Sequence, residues 1–266
     1  MAAYRLEHRT YATPKLPFLP VSYIITMEGS DRRERYLREL ERQPLTKHVV
    51  VVHNKGFRRC PKVGVSSSVD DLWDANRFVF DHCADVEAPI IVLEDDATLD
   101  VLTDEDVAQL HRLTHSDFET VFLGAWPWLS RRSGAVLRLH LAGMAHCVMY
   151  SHAAREFLRH KTLPRALGYT VPHDLYVSFS TYACTLRTPV AFQPHEHTAN
   201  AQTWDPTGAL RTYFAAWNAA KRPQHMTRFH HRLGVFGGSL PLLILGCIVA
   251  SLTSPNPRWE SSALIH

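Results

Sequence analysis

Short apolar runs alternate with amphipathic segments over the first half of the chain. The apolar runs are rich in β-branched residues and predict strands at residues 21–27, 48–53, 90–93 and 120–124. The segments between them place apolar residues at helical spacing and predict helices at residues 32–42, 69–82 and 104–114. This alternation of strand and helix predicts an α/β fold, with a mostly parallel Rossmann-type sheet flanked by helices.

The pattern is less regular after residue 124. Residues 126–134, which include Trp126 and Trp128, are expected to form a loop. Further strands are expected at residues 135–141, 145–150 and 185–193, the last at a sheet edge. A serine that can cap a helix precedes residues 152–160, and another helical segment begins at Pro172.

The C-terminal part contains an apolar run at residues 233–253, about the length that crosses a bilayer. Basic residues precede it and a single arginine, Arg258, follows, so a membrane helix would leave the main domain in the cytosol. A buried core helix or strand is the alternative. The expected organisation is an N-terminal extension (1–20), a catalytic domain (21–198), a linker (199–232), a single-pass anchor (233–253) and a tail (254–266).

Composition narrows the class of protein. The 266 residues have a net charge of only +3 and no basic stripe interleaved with aromatic residues, so nucleic acid is not the expected partner. Five scattered cysteines include no CxxC pair, which argues against a disulfide framework or a cysteine zinc site. A reducing compartment fits this pattern.

Three adjacent carboxylates, Glu94, Asp95 and Asp96, directly follow the third predicted strand. A run this apolar and short is typical of a strand buried on both faces, and open α/β sheets bind ligands at the carboxyl ends of their strands. Burying three unpaired carboxylates is costly, and a divalent cation removes that cost. Mg²⁺ and Mn²⁺ prefer such oxygen ligands and usually also bind substrate phosphates. Capping of a following helix, or exposure to solvent, is the simpler alternative.

Other residues could complete a site for a nucleotide. Arg32 and Arg33 follow the first strand and could contact a base or phosphate, or belong to a solvated helix face. Asp174 begins a helix, where it could act as a general base or as a cap. His195 and His197 could complete the shell of the ion opposite Glu94 and Asp96, although a chain with 17 histidines makes chance placement easy.

Common catalytic motifs are missing from the sequence. It contains no glycine-rich phosphate loop of either standard type and no nucleophile elbow centred on serine. The His-x-His spacing at residues 195–197 differs from the i, i+4 spacing of zinc-protease helices.

Four segments in this order resemble glycosyltransferase family 25, the group of lipooligosaccharide and collagen galactosyltransferases. Together they span roughly residues 21–193. The four segments are residues 24–27 with 31–33, residues 91–97, residues 145–151 with Ala154 and Leu158, and residues 171–176. The acidic segment, 91–97, is the most specific of them. Ser66, Ser67 and Ser68 stand where the family carries a Ser-His pair.

The resemblance implies a GT-A fold, a nucleoside-diphosphate sugar donor, Mn²⁺ (or Mg²⁺) at an Asp-x-Asp-like motif, and inverting transfer, possibly of galactose, to a glycan, lipid or protein hydroxyl. Glu94 and Asp96 would then hold the metal, with Asp95, Arg32 and Arg33 near the nucleotide sugar. Asp174 would lie on the acceptor side. Two alternatives stay open: a metal-dependent phosphoesterase that uses the same carboxylates with the two histidines, and an inactive, membrane-tethered module that binds nucleotide sugars.

Overall fold

The computed structural model describes residues 2–166, 169–193 and 223–238 of the chain. They form a nine-stranded sheet in the order β1-β3-β2-β4-β9-β6-β12-β8-β7, with two small two-stranded sheets, β10-β11 and β5-β13. The strands are β1 (Tyr4–Thr10), β2 (Val21–Met27), β3 (His48–Asn54), β4 (Ile90–Glu94), β5 (Thr98–Leu99), β6 (Thr120–Phe122), β7 (Trp126–Ser133), β8 (Val136–Gly143), β9 (Cys147–Tyr150), β10 (Arg165–Ala166), β11 (Tyr169–Thr170), β12 (Ala183–Leu186) and β13 (Ala191–Phe192). The helices are α1 (Arg33–Arg42), α2 (Ser68–His82), α3 (Asp104–Thr114), α4 (His152–Leu158), α5 (His173–Ser180) and α6 (Pro223–Gly234).

The main strands and helices between residues 21 and 124 form as the pattern predicts. Strands β3, β2 and β4 pair in parallel and are buried along nearly their whole length, as a strand covered on both faces requires. Helix α1 begins at Arg33, where residue 32 was expected, and α2 and α3 begin after side-chain caps by Ser67 and Thr103. Two apolar clusters, one on each face of the sheet, form the core.

The sheet is mixed, which corrects the expectation of a mostly parallel one. Strand β9 lies between β4 and β6 and pairs with both in the antiparallel direction. Strands β7 and β8 add a further antiparallel hairpin beside β12. A four-residue strand buried along its length reads the same in either direction, so its sequence did not reveal how it pairs.

The expected loop at residues 126–134 is wrong, because Trp126–Ser133 forms strand β7. The strand pairs with β8 across a tight turn that contains Gly134, whose φ of 56° lies in the left-handed region that glycine tolerates. Three exposed polar residues at its end, and a proline near its start, concealed the strand in the sequence.

The N-terminal residues belong to the domain rather than to an extension. Tyr4–Thr10 pairs antiparallel with all of β3 and closes one edge of the sheet. Leu16 and Leu19 are almost completely buried in the core. The folded unit therefore begins near residue 4 instead of residue 21.

Helix α6 begins in the expected linker, ends two residues into the expected membrane segment, and packs on the outer strand β7. The hydroxyl of Ser130 donates a hydrogen bond to the carbonyl of Gly234 at 2.9 Å, and its backbone N–H donates to Gly237 at 3.0 Å. Residues 233–238, the start of the expected membrane segment, thus contact the domain. No helix within the described ranges is long and apolar enough to cross a membrane, and residues 239–253 lie outside those ranges.

Candidate functional site

The acidic segment lies where the carboxyl ends of β4 and β2 meet. Because the two strands are parallel, residues that follow β4 lie beside the end of β2. The backbone N–H of Asp95 donates to the carbonyl of Ile25 at 3.1 Å, and the hydroxyl of Thr26 donates to Oδ2 of Asp95 at 2.7 Å. Asp95 is therefore fixed to the sheet, and its carboxylate is buried.

Asp96 is the most deeply buried of the three carboxylates, with 3 % of its surface exposed. Its Oδ2 accepts hydrogen bonds from Gln193 at 2.7 Å and from Arg32 at 3.1 Å. Its Oδ1 is buried and has no hydrogen-bond partner among the described residues. Burial raises the pKa of Asp96, although Gln193 and Arg32 partly oppose this effect. A buried carboxylate oxygen without a partner is costly, and a bound water, a ligand or a cation would satisfy it.

The two adjacent arginines have different surroundings. Arg32 bridges Asp95 and Asp96, with Nη1 3.3 Å and 3.1 Å from their oxygens. Arg33 instead pairs with Glu7 on β1 and with the adjacent Glu34. The structure thus brings Arg32 into the acidic site as a counter-charge and directs Arg33 elsewhere.

Glu94 lies at the end of β4, with 21 % of its side chain exposed. Its carboxylate lies near His173, whose Nε2 is 3.8 Å from Oε1. Burial raises the pKa of Glu94 well above its usual value, and the negative charges of Asp96, Asp174 and Asp95 raise it further. Burial also lowers the pKa of His173, so this histidine favours its neutral form.

Asp174 joins the same region from the start of α5. Its Oδ2 accepts the backbone N–H of Met144 at 2.7 Å, and its Oδ1 accepts that of Leu175 at 2.9 Å. Met144 has a φ of 73°, a left-handed conformation that is uncommon for a residue with a side chain. Strained residues of this kind concentrate at functional sites.

Sequence reasoning missed three contributors to this site: Thr26, His173 and Gln193. Thr26 alone had a usable signal, since it ends a strand parallel to the acidic one. Gln193 reaches Asp96 because β13 pairs with β5, which follows the acidic segment, and that pairing could not be inferred from the sequence.

The donor set was tested for its fit to a divalent cation. The negative charge of Asp96 acts on Glu94, and Oδ1 of Asp96 has no hydrogen-bond partner among the described residues, which suits a hard cation. Within the part of the chain that the structure describes, no group of three or more His, Cys, Asp or Glu residues could hold a metal ion. A Mg²⁺ or Mn²⁺ ion can, however, be bound by one or two carboxylates when water and substrate phosphate supply the other ligands. His195 and His197 lie outside the described residues.

Comparisons with known proteins do not identify a family. No protein-family model matches the sequence, and no curated protein matches it. Among solved structures, the chain is similar to one described as "Crystal Structure of A197 from STIV", with a TM-score of 0.44 and 13 % identity over 66 % of this chain and 85 % of that one. A likeness at that TM-score supports no conclusion about activity. The described residues form a mixed α/β fold with an acidic site at the carboxyl ends of its parallel strands.

Proposed function

We propose that the protein is a metal-dependent glycosyltransferase of GT-A-like fold, which transfers a sugar from a nucleoside-diphosphate donor to a hydroxyl group with inversion. The observation that carries the proposal is a buried Asp96 oxygen with no partner among the described residues, two positions after a partly exposed Glu94. The resemblance of residues 91–97 to the acidic motif of family 25 adds support from the sequence.

Glu94 and Asp96 would hold Mn²⁺ or Mg²⁺, with Asp95 and Thr26 fixing the segment that carries them. Such an ion neutralises the charge that develops on the departing diphosphate. Arg32 lies against Asp95 and Asp96, close enough to the acidic segment to contact a bound diphosphate as well. Arg33, which pairs with Glu7, is left out of this role.

Asp174 is the proposed general base. Two backbone N–H groups orient its carboxylate, and the side chain is neither exposed nor fully buried. In the proposed step the acceptor hydroxyl gives its proton to Asp174, and its oxygen bonds to the anomeric carbon. The bond from that carbon to the diphosphate oxygen breaks, and its electron pair leaves with the diphosphate. A single displacement of this kind inverts the anomeric centre.

The proposal is tested by donor turnover. The full-length protein is incubated with a panel of nucleotide sugars that includes UDP-galactose and UDP-glucose, with MnCl₂ or with EDTA, and release of the nucleotide is measured. We expect release with Mn²⁺, and a loss of about 100-fold or more in Asp96→Ala. Asp117→Ala, which removes an exposed carboxylate on the surface, is the matched control. Equal rates for Asp96→Ala and wild type, or rates that EDTA leaves unchanged, would contradict the proposal.

Two further measurements separate the phosphoesterase and the inactive binding module from this function. A phosphoesterase would release phosphate from a simple phosphoester such as p-nitrophenyl phosphate and would need no sugar. An inactive binding module would show no release, but nucleotide would still raise its melting temperature.

Membrane attachment through the apolar run is part of the proposal, with the catalytic domain on the cytosolic side. Its support is the sequence alone, since residues 239–253 carry no charge. Sedimentation of the full chain with membranes, and its resistance to alkaline carbonate extraction, test this part. Recovery of all the protein in the supernatant would contradict it.

A further inference from the structure

The indole of Trp128 lies beside the carboxylate of Asp174, with Gly143 between them. A methyl group added to Gly143 would lie 3.2 Å from Cζ2 of Trp128 and 3.6 Å from Oδ2 of Asp174. The absence of a side chain at Gly143 therefore lets the aromatic ring approach β8 this closely. Trp128 itself is neither fully buried nor exposed.

An irregularity in β7 directs Trp128 to this position. In the ladder with β8, Pro127 pairs with Ala142 and Leu129 pairs with Leu141, so Trp128 has no partner across the strand. Such a bulge changes the direction of a side chain, and bulges are frequent beside active sites. Trp126, two residues earlier, is instead buried in the core with 2 % exposure.

The residue after Gly143 strengthens the link to Asp174. Met144, in its left-handed conformation, donates its N–H to the same oxygen of Asp174 that lies close to Gly143. One short segment, residues 143–144, therefore fixes both the carboxylate and the position of the indole ring. The bulge, the close approach at the glycine and the strained residue are three separate features that meet at one place.

We propose that Trp128 is a saccharide platform in the acceptor subsite, so that the acceptor is a carbohydrate rather than a lipid or protein side-chain hydroxyl. This inference rests on the proposed function, since it takes Asp174 as the base. A pyranose has an apolar face of C–H groups that packs on an aromatic ring, while its hydroxyls bind polar neighbours. Trp128 supplies the ring, and Asp174 supplies the adjacent acceptor for a hydroxyl proton.

The position of Trp128 favours the acceptor over the donor. The donor diphosphate is assigned to Glu94 and Asp96, whereas Trp128 adjoins Asp174, the residue that would take a proton from the acceptor. Donor and acceptor affinities can be measured separately, which makes this assignment testable.

The experiment uses the full-length protein with Mn²⁺ and UDP-galactose, or whichever nucleotide sugar of the panel is consumed. The acceptor probes are methyl glycosides of galactose, glucose and N-acetylglucosamine. Glycerol and N-acetylserine amide offer hydroxyls without a pyranose ring. The variants are Trp128→Ala and Trp128→Phe, and the matched control is Phe179→Ala, which removes an aromatic ring with 77 % exposure from the helix that carries Asp174. Saturation-transfer NMR measures the binding of the same glycosides without turnover.

We expect at least one glycoside, but not glycerol, to accelerate donor consumption. Trp128→Ala should raise the KM for that glycoside about three- to tenfold, a larger change than in the KM for the donor. Trp128→Phe should recover most of the loss, and Phe179→Ala should behave as wild type.

Several results would overturn the platform. These are glycoside binding that is undiminished in Trp128→Ala, a loss of donor affinity instead of glycoside affinity, or glycerol serving as well as the glycosides. If the wild type consumes no donor but binds a glycoside that Trp128→Ala does not bind, the proposed function fails and the platform stands. If the donor is hydrolysed but no glycoside binds, the saccharide platform is rejected and the proposed function is kept.

Discussion

Replacement of Glu94 by Gln tests whether negative charge at the acidic site destabilises the metal-free protein. The substitution keeps the shape of the side chain and removes one charge. In the folded protein, burial and the neighbouring Asp96, Asp174 and Asp95 raise the pKa of Glu94. We therefore expect Glu94→Gln to be more stable than wild type near neutral pH when no metal is present.

The magnitude follows from the surroundings of the side chain. No hydrogen bond from a described residue satisfies the Glu94 carboxylate, and His173, 3.8 Å away, favours its neutral form. The positive charge of Arg32 opposes the rise in the pKa of Glu94 but does not cancel it. An unsatisfied buried polar group costs about 1–3 kcal/mol. Because 21 % of the side chain is exposed, we take the low end, about 1 kcal/mol. For a domain of this size that gain raises the Tm by about 2–4 °C.

The pH dependence has a defined sign. A carboxyl whose pKa is raised by folding stabilises the protein fully below the unfolded pKa, here 4.5, and this contribution is lost as pH rises through the folded pKa. The difference between Glu94→Gln and wild type should thus be close to zero below about pH 4.5. It should grow above that pH and become constant once Glu94 is ionised in the folded protein.

Thermal unfolding followed by circular dichroism, in EDTA and then in MnCl₂ with UDP, provides the assay. At a metal concentration 100 times its Kd, wild type should gain about 2.7 kcal/mol, and Glu94→Gln much less. Asp117→Asn is the matched control on the surface. A lower Tm for Glu94→Gln in EDTA, together with an undiminished response to Mn²⁺, would refute the reasoning.

Three further substitutions test the framework that supports the site. In the wild type, Nζ of Lys62 lies 2.6 Å from the buried carboxylate of Asp71, and Lys62→Met removes this cation. We expect the free energy of unfolding, measured in urea, to fall by about 3 kcal/mol, and a fall below 1 kcal/mol would contradict this. Gly124→Ala places a methyl group against the carbonyl oxygen of Ala191, which leaves it no room. We expect a cost of about 3 kcal/mol in the same measurement, and wild-type stability would contradict this close approach. Met144→Val, which disfavours the left-handed conformation, should cost about 1–2 kcal/mol, while Met144→Asn stays near wild type; equal melting temperatures for the two would contradict the strain at Met144.

Periodicity was sufficient to predict the main strands and helices between residues 21 and 124. Strands β2, β3 and β4 are short and apolar throughout, and α1 to α3 have clear apolar faces and caps, so each element carries its own signal. Parallel strands separated by helices also fix which ends lie together. The placement of Glu94, Asp95 and Asp96 at the edge shared with β2 followed from these facts.

The remainder depended on contacts that local sequence does not encode. Strand β9 enters the sheet antiparallel, although four buried residues carry no information about direction. Strand β7 has its alternation broken by the bulge at Trp128, which is also the feature that brings this ring beside Asp174. Arg32 was expected at a ligand, but it binds Asp95 and Asp96 within the chain. Whether Arg32 contacts a ligand or carboxylates of its own chain is decided by the tertiary structure.

The placement of the arginines around the acidic site indicates that part of the positive charge that balances its carboxylates comes from outside the chain. Arg32 pairs with two of the carboxylates, and Arg35 is close enough to lower the pKa of Asp96. Arg33, which directly follows Arg32, pairs with Glu7 on β1 instead. The guanidinium of Arg33 is thus adjacent in sequence to the site but pairs outside it. Oδ1 of Asp96 meanwhile has no partner among the described residues. If the carboxylates served only stability, a second guanidinium beside them would stabilise the fold. If they bind a metal ion together with a diphosphate, the position beside Oδ1 of Asp96 has to stay free for that ion.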